Sequence, residues 1–154
     1  MIDVLYLAHQ TVFGGLAAAG FGVLFNIRLK ALPWCALAGG LALCVRTLAM
    51  EQGLSLEAGS FLAAVAVGLG VQLAHVRSGL ARSALAAAGC IPMIPGSIAA
   101  KAILGLFALT DHQTDAEAMA QTMQYVLRVI FTFAAIGVGV AFPMQIFRRR
   151  GLDV

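Results

Sequence analysis

Charge is the scarcest thing in this sequence. Only 11% of its 154 residues are Asp, Glu, Lys or Arg, against about a quarter in a soluble domain. So little charge does not cover a globule in water. With 61% hydrophobic residues and a mean hydropathy of +0.94, the chain is predicted to lie in a bilayer as one all-α, polytopic domain over residues 1–154. The seven acidic residues all fall outside the long apolar runs, so no carboxylate is expected deep in the membrane. Cysteine is rare too: Cys35, Cys44 and Cys90 are scattered without metal-type spacing, which favours small core residues over a disulfide or a metal site. His9, His75 and His112 stand at span ends or in loops. No nucleophile–base constellation and no nucleotide-binding loop is present. An enzyme and a bound cofactor are therefore not expected. The net charge of +3 does not form a basic stripe on a soluble face, which argues against nucleic acid as a partner. The N-terminus also lacks the basic region and cleavage site of a removable signal peptide, so the first apolar segment is expected to remain as a span.

What the sequence does have is long apolar runs, each near the 20 residues or so that cross a bilayer as helix. Five transmembrane helices are predicted, at about 4–26, 34–50, 58–76, 83–110 and 120–147. Small residues recur at four-residue spacing, as in Gly15 with Ala19 and Ala18 with Gly22, and Gly39, Gly40, Gly68 and Gly70 offer further close contacts between helices. Between the spans, Pro33 restarts a helix beside an interfacial Trp34, and Ser55 is a candidate cap ahead of Glu57. Arg28, Lys30, Arg77, Arg82 and Arg148 to Arg150 fall on one side. Glu51, Glu57, Asp111, Asp115 and Glu117 fall on the other. Since Lys and Arg mark the cytoplasmic side, the N-terminus is expected outside and the C-terminus inside.

The fourth run is longer than one span needs and is interrupted by Cys90-Ile91-Pro92-Met93-Ile94-Pro95-Gly96-Ser97. Pro92 and Pro95 remove backbone donors where lipid can supply none. Such a break is tolerated when protein wraps it, as a packing kink, or when it lines a watery cavity that receives a solute. Three cations, Arg46, Lys101 and Arg128, lie within or near the hydrocarbon, where a charge costs about 2.5–3.5 kcal/mol on insertion scales. Arg46 and Arg128 have three routes open: snorkelling, an ion pair with Glu51, Glu57 or Glu117, or a substrate role. Lys101 sits one turn beyond Gly96 and Ser97 on the half-helix that follows the break. There the helix dipole and a full charge together favour an anion, a carboxylate being the obvious one, or acids supplied by another subunit.

Gly20-Phe21-Gly22-Val23-Leu24-Phe25-Asn26-Ile27, Leu32-Pro33-Trp34-Cys35, the Arg46 position and above all Ile91-Pro92-Met93-Ile94-Pro95-Gly96 resemble the threonine/serine exporter family, specifically its short YjjB-type subunit. The resemblance covers essentially the whole chain. It implies a bacterial inner-membrane exporter, driven by an ion gradient, in which the short chain acts with a larger YjjP-type membrane subunit. Threonine and serine, and succinate for the split type, are the substrates it implies. The motif carries over onto Pro92, Pro95 and Gly96, with Asn26 and Arg46 as further matches. Lys101 and Arg128 belong to no pattern of the family, and Ala100 stands where a larger residue is expected. Pro92, Pro95, Gly96, Ser97, Lys101, Arg46 and Asn26 are thus the candidate substrate-binding residues for a small carboxylate. The competing expectation is an accessory subunit that stabilises a partner and never touches substrate. Five helices offer little interior for a gated pathway, which makes a partner expected on physical grounds as well. The orientation has a direct test: a cysteine at Gln113 is expected to label from outside and one at Ser78 only from inside, and the reverse pattern removes the five-span, N-out arrangement.

Overall fold

The computed structural model describes residues 4–78, 81–110 and 115–149. The segment 111–114 of the predicted acidic loop, Gly79 and Leu80 of the basic loop, and Arg150 of the tail lie outside the described residues. All described elements are helical: α1 Val4–Leu24, α2 Leu32–Glu51, α3 Leu56–Ser78, α4 Arg82–Cys90, α5 Gly96–Ala108 and α6 Ala116–Arg149, with 3₁₀ turns at Leu29–Ala31 and Ile91–Met93. Four of these paths are long and apolar enough to cross a membrane alone. Arg82–Met93 and Gly96–Ala108 form a fifth, bent by 66°. The predicted five spans with a broken fourth are thus recovered.

Local chemistry sets the ends of the helices. α1 stops in a Schellman motif: Asn26 adopts φ +54°, its amide donates to the Val23 carbonyl, and the Ile27 amide donates to Gly22. Asparagine tolerates this left-handed position better than most residues. α2 ends the same way with Gly53 at φ +87° and bonds from Gly53 to Met50 and from Leu54 to Ala49. Pro33 stands in the first turn of α2, where its missing N–H costs nothing. The Ser55 hydroxyl accepts the Ala58 amide at 3.2 Å at the start of α3, which is the cap read from the sequence.

Small residues build the core. Gly14, Gly15, Ala18 and Gly22 are the buried residues of α1, and they face Gly39, Ala36 and Cys35 of α2 so closely that a Cβ on Gly39 would collide with Ala18 and with the Gly14 carbonyl. Bilayers give apolar helices no hydrophobic reason to associate, so this intimate van der Waals contact is what joins α1 to α2. Ala38, Ala42, Ala63, Ala64, Val67, Leu85, Ala88 and Met93 continue the core through α2, α3, α4 and the 3₁₀ turn.

α6 runs parallel to α3. Pro143 lies over Gly68, and Gly139 faces Phe61 and Ala64. At the far end Arg128 Nε stands 3.8 Å from Glu57 Oε1, so of the routes open to Arg128 the structure takes the ion pair. A pair this exposed and this long adds at most a fraction of a kcal/mol. The packing makes a test: Gly39→Ala, which forces α1 and α2 apart, is expected to lower the melting temperature of the purified protein. Gly20→Ala, where nothing lies within 4 Å, is expected to leave it unchanged or raise it.

Candidate functional site

The two prolines of the fourth path divide its backbone bonding in a definite way. Pro92 opens the 3₁₀ turn, and the Ile94 amide closes it on the Ile91 carbonyl at 3.0 Å. Pro95, at φ −78° and ψ 67°, forms an inverse γ-turn in which the Gly96 amide donates to the Ile94 carbonyl at 2.8 Å. The chain swings there into α5, and the first amide of α5 with a helical partner is that of Ala99, bonded to Pro95 at 2.9 Å. No side chain caps this helix. Among the described residues no partner is found for the amides of Ser97 and Ile98 at its positive end.

The swing also strips the Met93 carbonyl of the donor a continuous helix would give it, the Ser97 amide. Arg46 supplies the replacement: its Nη1 donates to Met93 O at 2.6 Å across 47 positions of sequence. Of the routes open to Arg46, neither snorkelling nor a pair with Glu51, Glu57 or Glu117 is the contact made; the guanidinium grips the broken helix. A guanidinium has five N–H donors, so further donors remain beyond the one this contact uses.

Beside this contact is a cleft of about 280 Å³. Tyr6 and Gln10 of α1, Arg46, Thr47 and Met50 of α2, and Pro92, Pro95, Gly96 and Ser97 of the break line it. Five of the candidate residues are brought together: Arg46, Pro92, Pro95, Gly96 and Ser97. Lys101 is not among the lining residues; it is exposed on α5 with its ammonium 5.8 Å from the centre of the Tyr125 ring. Asn26 is at the opposite end of α1, in its helix-ending role, where it borders a separate cavity with Arg28 and Ala81. Tyr6, Gln10 and Thr47 were not singled out by the sequence. The signal that would have found them is polar side chains one turn apart on a span, Tyr6 with Gln10, sharing a level with Arg46 and Thr47. Ser60 and Gln72 of α3 are also buried, with their polar side-chain atoms unpartnered among the described residues, and neither lines the cleft. No group of three or more potential metal ligands occurs among the described residues.

The arrangement brings several polar groups to one small space: the amide of Ser97, the guanidinium of Arg46, and the hydroxyl and amide groups of Tyr6, Thr47 and Gln10. With no carboxylate in the lining, the cleft suits an anion that carries further polar groups. Comparison with known proteins matches the chain to the Threonine/Serine exporter, ThrE, family over residues 10–146. An uncharacterized protein of Haemophilus influenzae is 31% identical over 150 residues, covering 97% of this chain and 50% of that protein. The chain thus spans about half the length of the curated relative it matches. No solved structure matches it. Since the family match begins in α1, ends in α6 and contains the whole break, this transmembrane chain belongs to the threonine/serine exporter family.

Proposed function

We propose that the chain is a membrane subunit of a bacterial inner-membrane exporter of small carboxylate metabolites, either hydroxy amino acids such as threonine and serine or a succinate-like dicarboxylate, and that it acts with a larger YjjP-type membrane subunit. The observation that carries this reading is the cleft at the break. The Ser97 amide at a helix N-terminus and the Arg46 guanidinium line one side of it, which is the chemistry that holds a carboxylate. In low-dielectric surroundings such charge-assisted bonds are strong, and the polar groups of Tyr6, Gln10 and Thr47 stand where a hydroxyl, ammonium or second carboxylate of the substrate would need partners. Family membership supports export as the activity. The double length of the Haemophilus relative supports a second component, since a chain of that length has room for one in the same polypeptide.

One observation favours a second reading. Arg46 already serves the fold through Met93, so an accessory subunit that never meets substrate would keep it as well. Gln10 and Thr47 separate the two. Neither side chain holds the break, and a purely structural subunit does not need their polarity.

The test is export of labelled threonine, serine and succinate from cells that carry the complete exporter, with variants matched for membrane level. Gln10→Leu and Thr47→Val are expected to weaken apparent affinity for the transported carboxylate by roughly three- to tenfold, as befits about one hydrogen bond each. Arg46→Lys, which keeps charge and loses the fork, is expected to cost roughly ten- to a hundredfold. Unchanged export in both Gln10→Leu and Thr47→Val, with Arg46→Lys harmful only through lower membrane level, establishes the accessory reading instead.

A further inference from the structure

The cavity beside Asn26 lies at the opposite end of the bundle from the break. Its volume is about 480 Å³, within the range of small-molecule sites, about 300–1,000 Å³. Asn26 and Arg28 line one side of it and Ala81 and Ala84, at the start of α4, the other. Ala31 and Leu85, each 1% exposed, close its floor. Asn26 is about 24 Å along α1 from Gln10 of the break cleft at 1.5 Å per residue, so the two spaces are distinct.

The turn that ends α1 uses only the backbone of Asn26, in its left-handed conformation and with its amide on Val23. Glycine does the same at the end of α2, where Gly53 has φ +87°, and glycine is the usual residue for that position. The turn therefore has no need of the Asn26 side chain. That side-chain amide makes no hydrogen bond among the described residues, and the Arg28 guanidinium makes no ion pair among them. A cation and an amide, both without a protein partner, thus border one cavity.

Charge is sorted along the bundle. Arg28 and Lys30 join α1 to α2, Arg77 is in the last turn of α3 and Arg82 opens α4, all at this end. The described acids, Glu51, Glu57, Asp115 and Glu117, lie at the other. Such a field gathers small anions at the basic end. The bias of Lys and Arg toward the cytoplasmic side accounts for the cations themselves. It does not call for a cavity with an amide beside one of them, and Lys30 meets the bias without lining that cavity.

We infer that this cavity is a second site for the small carboxylate, the one loaded from the cytoplasm, in which Arg28 pairs with the carboxylate and the Asn26 amide bonds the same molecule. This rests on the export reading above and supplies what the break cleft does not. That cleft opens beside Tyr6 in the first turn of α1 and Met50 in the last turn of α2, at the acidic end. A lipid phosphate would meet the same donors, and the test separates the two.

The test uses the complete exporter in permeabilised membranes, with Ala81→Cys, or Ala84→Cys should the first not accumulate. The rate of modification by a methanethiosulfonate bearing a sulfonate is read at that residue by mass spectrometry. Threonine, serine or succinate, at several times its dissociation constant, is expected to slow modification by about threefold or more, and to do so equally in an Arg46→Lys background. Arg28→Gln and Asn26→Gly are expected to abolish this protection at unchanged membrane level, and Lys30→Gln to keep it. In inside-out vesicles Asn26→Gly is expected to raise the KM of export roughly three- to tenfold and Arg28→Gln roughly tenfold or more, with little change in maximal rate. No protection by any of the three solutes overturns the proposal. So does modification that is slow in native membranes and fast after transfer to phosphatidylcholine alone, whatever solute is present, since a lipid headgroup then fills the cavity. A lower maximal rate at unchanged KM makes Asn26 and Arg28 structural and overturns it as well. Should the exporter move none of the three solutes, the export reading falls, and protection at residue 81 still decides whether the cavity binds them; lost protection with export intact removes this site alone.

Discussion

The bond from Arg46 to the Met93 carbonyl is the constraint on which the rest depends. Two liabilities meet in it. A guanidinium in the bilayer costs about 2.5–3.5 kcal/mol, and a buried carbonyl left without a donor costs about 1–3 kcal/mol. Each is the remedy for the other. The swing at Pro95 turns the Ser97 amide, which a continuous helix would have spent on Met93, away from that carbonyl, and Arg46 takes its place. The bond serves the fold by satisfying a carbonyl that the break itself orphans.

For Arg46 to reach across, α2 must lie close to both α1 and the 3₁₀ turn. The glycines of α1 and α2 provide that closeness, with Gly14 and Gly39 bringing two backbones into contact. Met93, entirely buried, and Cys90 beside it anchor the turn in the same core as Ala63, Ala64 and Val67 of α3. The cleft therefore has one rigid wall made of α1 and α2 and another made of a short turn pinned at a single carbonyl. Rigid placement matters because a carboxylate gains from amides and a guanidinium only when their directions are already set.

Much of this was legible in the chain itself, for physical reasons that differ by feature. Span number and the break follow from length, apolarity and proline chemistry, which are local. The Ser55 cap follows from one side chain and one amide three residues on. Arg128 with Glu57 was among the pairs the charges allowed. The partner of Arg46 was not legible, because depth along a helix says nothing about the direction a side chain faces, and its acceptor is a backbone atom 47 positions away. Lys101 misled for a related reason. Spacing put it one turn from the break, yet α5 turns that face toward Tyr125 of α6. Asn26, a residue type that suggests binding inside an apolar span, is accounted for by its left-handed backbone at the end of α1.

The same turn that opens the cleft also decides where α5 goes. Pro95 bends the path by 66°, and beyond it α5 leaves the bundle to pack on α6. The half-helix whose N-terminus lines the cleft is therefore held at its start by the Pro95 turn and along its length by a helix that itself runs past the bundle. On the proposed reading, a carboxylate bound between Arg46 and the amide of Ser97 would join α2 to α5 directly, two elements that otherwise meet chiefly through the turn.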